Sequence, residues 1–296
     1  REKDRSRVLV GLAPYLQGEL LRLGLDAALA TQDEGDRANT LASFAANLDG
    51  ELQERVVQHG LEAILTEGDD WSRSNALVSL APHFQDEMAD IGLSAAIAIT
   101  SATPRFNAIA ALIPVLQDQK KPTALLSGFD TIVDIPFEDE RSSALMTLAP
   151  YLQGEMLVSG ITIALGIFNE AHRAKALVAL VKNLRDGMVQ VGLDAALSLQ
   201  TIERRSDVLI ALAPNIPEEF LPIVMNSVVD IDDVVQRGGA LSALASHLAE
   251  PTHLRQIRHQ IATDLFTAFR QSPRADLLNY LATPGLIAPP IFTSDE

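Results

Sequence analysis

An arginine returns along the chain at Arg5, Arg37, Arg73, Arg105, Arg141, Arg173, Arg205 and Arg237, with successive gaps of 32, 36, 32, 36, 32, 32 and 32 residues. Each opens a version of one phrase; the stretch from Arg73 to Phe84 is a clear copy and that from Arg141 to Leu152 is another. Self-similarity at a fixed period in this range marks a stacked repeat architecture, in which each unit buries its apolar face against its neighbours. A chain of 296 residues would otherwise suggest about two globular domains.

Taking each arginine as position zero, apolar residues fall at about three, four, seven and eight, as Ala76, Leu77, Leu80 and Ala81 do in the third copy. That is a helical stripe and not the alternation of a strand. Proline often follows at position nine, as Pro14, Pro82, Pro114, Pro150 and Pro214. It disfavours α geometry in the residue before it and offers no donor, so it ends this first helix.

A second helix follows a short turn. Its core is a glycine followed by apolar and small residues, with Gly24, Gly60, Gly92, Gly128, Gly160 and Gly192 each standing 13 residues before the next arginine. A glycine inside a helix costs about 1 kcal/mol relative to alanine. Its recurrence is therefore read as close approach of a neighbouring helix, with Gly24 and Ala28 on one face. The length variation lies before the glycine: Pro14 to Gly24 is ten residues, whereas Ala46 to Gly60 and Pro114 to Gly128 are fourteen. Four residues are about one helical turn. The second helices of units two and four are expected to be one turn longer, with a longer turn as the alternative that Pro122 favours in unit four.

Position zero lies at the rim of the apolar stripe, where an arginine stem covers apolar surface and its head reaches a partner. The acid two residues after each glycine is a candidate: Asp26 for Arg37, Glu62 for Arg73, Asp130 for Arg141 and Asp194 for Arg205. Ser94 and Thr162 fill this place in two units, so the pairing is not general. The arginines and glycines are thus read as a structural ladder. The sharper alternative is a row of arginines gripping an acidic ligand.

Acids also gather where each second helix hands over to the next unit, around Asp33, Glu34 and Asp36, around Glu67, Asp69 and Asp70, and at Glu138, Asp139 and Glu140. Helix capping accounts for such residues; an acidic docking edge for a basic protein is the other reading. Asn39, Asn75 and Asn107 share position two, facing away from the stripe. With Arg22, Arg55, Gln58 and Gln190 on the second helices, they form the candidate partner-binding set. Trp71, the sole tryptophan, is either an exposed anchor or packing against a helix end.

A net charge of −16 speaks against binding nucleic acid or anionic membranes, which takes clustered Lys and Arg. The absence of cysteine excludes disulfides and thiolate zinc sites. No apolar run is long enough to span a bilayer. The six histidines show no metal-ligand spacing, and no P-loop, dinucleotide fingerprint or GxSxG elbow is present. No catalytic residue, cofactor or metal is expected. The chain opens inside a repeat without an initiator Met, which leads us to expect part of a longer polypeptide.

The phrase R-x-x-A-L-x-x-L-A-P-x-L with its second amphipathic helix resembles HEAT-like α-solenoid repeats over Arg5 to about Leu248. It is similar to arrays of bacterial, notably cyanobacterial, multidomain proteins, including sensor regions of NACHT-type STAND ATPases. That resemblance implies a ligand-sensing region whose ATPase lies elsewhere. Phycobilin lyases are also HEAT-like, although no residue pattern here matches their active region.

The sequence therefore predicts an all-α, right-handed solenoid of about eight to nine helix pairs. Its expected parts are an array over 1–250, a degenerate capping repeat over 251–282 and an irregular tail over 283–296 containing Pro284, Pro289 and Pro290. The expected role is a noncatalytic, cytoplasmic recognition scaffold or sensor for a protein or peptide. The alternatives are a HEAT-like enzyme or chaperone of the phycobilin-lyase type, and a structural spacer or self-assembly element.

Overall fold

A computed structural model describes residues 2–216, 220–231, 234–245 and 257–263. All regular structure among the described residues is helical. The expected capping repeat and tail lie outside the described residues, apart from a short helical stretch over 257–263.

Two compact units divide the chain, Arg1–Leu148 and Ala149–Glu296. In the first unit the first helices are α1 (Glu2–Leu12), α3 (Glu34–Ala45), α5 (Asp70–Leu80), α7 (Ala102–Leu112) and α9 (Glu138–Leu148). Each packs on the next first helix. Their second helices are α2 (Gly18–Leu29), α4 (Gly50–Thr66), α6 (Asp86–Ile97) and α8 (Lys121–Asp134), each packed between the first helices on either side in sequence. The second unit repeats the pattern with α10 (Gly154–Leu165), α11 (Glu170–Val181), α12 (Val189–Leu197), α13 (Ile202–Leu212), α14 (Leu221–Val229) and α15 (Val234–Ala245).

The first helices carry the core. Leu41, Leu77, Ile109, Leu145, Leu177, Leu209 and Leu241 occupy position four of successive copies, and all are fully buried. On α1 the same face is open: Val8 and Leu12 are 58% and 45% exposed, whereas Ala76 and Leu80 at the same positions of α5 are buried. The proline marks the end of the first helix, as expected. α1 and α5 give way at Leu12 and Leu80 to a 3₁₀ turn over Ala13–Tyr15 or Ala81–His83, and the proline sits inside that turn.

The two long repeats differ. Helix α4 has 17 residues against 12 in α2, the extra turn that the spacing predicts. Helix α8 has 14 and starts at Lys121 with Pro122 in its first turn. Proline is well placed at a helix start and poorly placed within one, so here the extra residues go partly into the turn over 113–120.

Every one of the six repeated glycines is buried. A Cβ on Gly60 would lie 2.6 Å from Leu80, and one on Gly192 would lie 2.5 Å from Leu184. Gly128 is looser, with Ile109 at 3.3 Å and Leu148 at 3.7 Å. Here the Ile109 methyl need give only a few tenths of an ångström, against a helix preference for alanine of about 1 kcal/mol. Gly128→Ala is expected to stabilise the chain by about 0.5–1 kcal/mol in urea denaturation.

A different glycine position opens the second helices. Gly18, Gly50 and Gly154 begin α2, α4 and α10 with φ of 53°, 56° and 53°, the left-handed region that glycine enters without steric cost. In α6 the same place is held by Asp86 at φ 39°, the one non-glycine residue with positive φ among those described.

Candidate functional site

The repeated arginines are occupied within the fold. Arg37 Nη1 donates to the Thr31 carbonyl at 2.9 Å, Arg105 Nη1 to that of Ile99 at 3.3 Å and Arg173 Nη1 to that of Ile167 at 3.0 Å. Arg141 reaches the Ile135 carbonyl through Nε and Nη2 at 3.2 and 2.8 Å, and Arg205 that of Leu199 at 3.1 and 2.8 Å. Arg73 and Arg237 donate likewise to Glu67 and Ile231. The acceptor is six residues back in every case, one or two residues past the end of the preceding second helix. A cation at a helix C-terminus satisfies a carbonyl the helix leaves unpaired and meets its dipole.

The expected acid partners are corrected by these bonds. Asp26 pairs with Arg22 on its own helix at 3.1 Å, Glu62 accepts from His59 and Gln58, and Asp194 accepts from Gln190. Asp130 is exposed and Arg141 turns to the backbone instead. Arg105 does meet an acid, Asp134 at 3.2 Å, but one on the second helix of its own unit.

The acids between units act largely as caps. Asp33 and Asp69 accept from the amides of Asp36 and Ser72 at their own helix starts. Asp70, the first residue of α5, accepts from both the amide and the hydroxyl of Ser101, the N-cap of α7. Glu170, the first residue of α11, does the same one unit on for α13, accepting from the Thr201 hydroxyl at 2.5 Å, the amides of Thr201 and Gln200 and the Arg204 guanidinium.

These bonds, the Thr201 hydroxyl foremost, hold the Glu170 carboxyl down at about 2, against an ordinary value of 4.5. A carboxyl lowered by folding stabilises the native state fully above its unfolded value, and that contribution fades as pH falls towards the folded value. Glu170→Gln is therefore expected to lower the thermal midpoint most near neutral pH. The gap to the parent chain should close between about pH 4.5 and pH 2 in calorimetry.

The candidate binding residues disperse. Arg22 is exposed and held between Glu19 and Asp26, Arg55 is exposed, and Gln190 is bonded to Asp194. Asn75 and Asn107 are exposed and Asn39 is half-buried. Trp71 is half exposed at the start of α5.

Gln58 alone of this set lines a groove, an open trough of about 480 Å³ between α4 and α6. From α4 come Gln58, Leu61, Glu62 and Leu65, spaced three and four apart on one face. From α6 and the residue before it come Gln85, Asp86, Glu87, Met88 and Ile91. Leu61 is buried as the floor, while Leu65 and Ile91 are 53% and 36% exposed. The aspartate at 86 was no signal for this site, because Asp118 and Asp186 stand at the same step from their own arginines. The apolar walls left none, because they take the form of ordinary stripe residues.

A smaller cleft of about 340 Å³ in the second unit is lined by Leu152, Gln153, Asn183, Arg185 and Met188. Its polar groups are committed to the backbone: Asn183 donates to the Ala149 carbonyl, and Arg185 to those of Lys182 and Leu184.

Among the described residues no group of three or more His, Asp or Glu side chains is placed to hold a metal. No described helix is long and apolar enough to cross a membrane. Comparison with protein-family models, curated proteins and solved structures finds no match.

Proposed function

We propose that the chain is a noncatalytic recognition scaffold whose helix pairs form a right-handed, HEAT-like α-solenoid. In this reading it is the cytoplasmic sensor or interaction region of a larger bacterial regulatory protein and binds a protein or peptide. The observation that carries the reading is the open, half-apolar groove between two neighbouring second helices of the first unit. The repeated arginines support the same reading from the other side. Their heads are spent on carbonyls of the fold, which leaves the second helices to supply the contacts.

A photo-crosslinking residue at position 65, at the groove, and one at position 126, on exposed α8 surface, test this. In lysate of the source cells, the first is expected to trap a discrete protein partner that the second does not. Equal or empty trapping from both positions counts against a scaffold that works through this groove. Turnover of a small substrate by the purified chain would overturn the noncatalytic reading.

A further inference from the structure

We propose that the groove between α4 and α6 takes a basic amphipathic peptide segment, with an apolar side chain seated among Leu65, Met88 and Ile91 and a lysine or arginine set against Glu62, Asp86 and Glu87. The proposal rests on the scaffold reading and adds the chemistry of the partner.

Charge complementarity carries it. Three carboxylates line the groove and no lysine or arginine does. Glu62 is bonded to Gln58 and to the His59 ring, and Asp86 accepts from the neutral amide of Gln117 at 2.9 Å. Those bonds orient the two carboxylates, and among the described residues no arginine or lysine is paired with either. Glu87 has no ion pair among the described residues. The nearby Lys120 is already engaged by Asp90 at 3.4 Å.

The apolar half supplies the second requirement. Leu65 and Ile91 are half-exposed on facing helices, Met88 lines the groove beside them, and Leu61 closes the floor. A flexible thioether among branched side chains fits apolar groups of different shape. An open trough walled by two helices suits an elongated occupant that lays apolar anchors into it, as an amphipathic helix does. A nucleic acid or an anionic lipid surface would meet three carboxylates and a net charge of −16, so both are disfavoured.

The backbone at Asp86 is particular to this groove: Asp118 and Asp186 hold the same place in their copies, but among the described non-glycine residues Asp86 alone has a positive φ. Gly18, Gly50 and Gly154 open their helices without a side chain, and here the chain accepts a left-handed aspartate that sets a carboxylate on the groove's lip. Glycine takes the same left-handed conformation at 18, 50 and 154, so Asp86→Gly removes the charge while keeping the backbone.

Fluorescence anisotropy on the full chain tests the proposal, with a labelled amphipathic peptide of leucine and lysine and its leucine–glutamate counterpart as probes. The parent chain should bind the lysine probe and not the glutamate probe. The triple variant Glu62→Gln, Asp86→Gly, Glu87→Gln should weaken lysine-probe binding about tenfold or more. A triple variant with the same loss of charge outside the groove lining, Asp49→Asn, Asp130→Asn, Asp139→Asn, should stay within about twofold. Leu65→Ser with Ile91→Ser should weaken binding several-fold, with helical circular dichroism unchanged in every variant.

Equal weakening by both triple variants would reduce the effect to bulk charge and overturn the proposal, as would no weakening by the groove triple or binding of the glutamate probe. A partner trapped at position 65 through an acidic segment would overturn this inference and leave the scaffold reading standing. Empty trapping would overturn the scaffold reading itself.

Discussion

Arg205→Met is expected to lower the free energy of unfolding by about 2–3 kcal/mol, read from urea denaturation of the full chain. The guanidinium places Nε and Nη2 on one oxygen, the Leu199 carbonyl, at 3.1 and 2.8 Å. Leu199 itself is buried, so water replaces these donors poorly. Hydrogen bonds from a charged donor contribute about 1.5–3 kcal/mol, and a buried acceptor left alone adds its own desolvation cost. Methionine keeps an apolar stem over the stripe, which confines the loss to the bonds. Arg205→Lys should recover part of the loss, because an ammonium keeps the charge at the end of α12 but cannot set two donors on one oxygen.

The informative control is Arg22→Met. Arg22 makes two ion pairs, to Glu19 and Asp26, yet its side chain is 61% exposed. Exposed pairs in water contribute little, so the unfolding midpoint should not move. A midpoint that falls as far for Arg22 as for Arg205 would sink the view that the repeated arginine acts through the backbone.

That arginine shows where the sequence was legible and where it was not. Its spacing gave the repeat, the helical stripe and the close approach at the glycines. The partner was hidden, because every residue has a carbonyl and a sequence prints none of them. Asp26 and Asp194 stood out only because they carry visible charge, and the helix periodicity that would have paired them with Arg22 and Gln190 at four residues was equally available. The position six before each arginine did hold a clue: Ile99, Ile135, Ile167, Leu199 and Ile231 are all buried there. A recurring apolar residue just past a helix end fixes the chain so that its carbonyl faces the arginine.

Spacing alone did not decide between a longer helix and a longer turn, and Pro122 did. Both gaps of 36 residues insert about a turn, and in α4 the inserted residues are good helix formers. In α8 the insertion contains Pro122, whose ring would clash with the carbonyl four residues earlier, so the helix restarts at Lys121. The groove was the least legible feature. It depends on where α4 and α6 leave side chains uncovered, which is a property of two helices from neighbouring copies and not of either copy's pattern.

Phe44→Ala is expected to have the largest effect of any single substitution considered, a loss of about 3–5 kcal/mol. Phe44 is fully buried at position seven, a place that α5, α7 and α9 give to Leu80, Leu112 and Leu148. Its ring reaches the glycine of the second helix before it: a Cβ on Gly24 would lie 2.9 and 3.0 Å from two ring atoms and 2.8 Å from Leu16. Gly24→Ala alone should therefore destabilise. Alanine gains about 1 kcal/mol of helix preference, but pressing a methyl into a filled core costs about 1–3 kcal/mol. With Phe44→Ala in place the obstruction from the ring is gone. Gly24→Ala should then cost less than it does alone, because only the Leu16 methyl at 2.8 Å still has to move, and it can move into the vacated space. The double-mutant cycle should show a favourable coupling of about 1–2 kcal/mol between the two sites. Effects that add within about 0.5 kcal/mol would mean that the glycine and the ring do not share one space, and that the recurring glycine has some other cause.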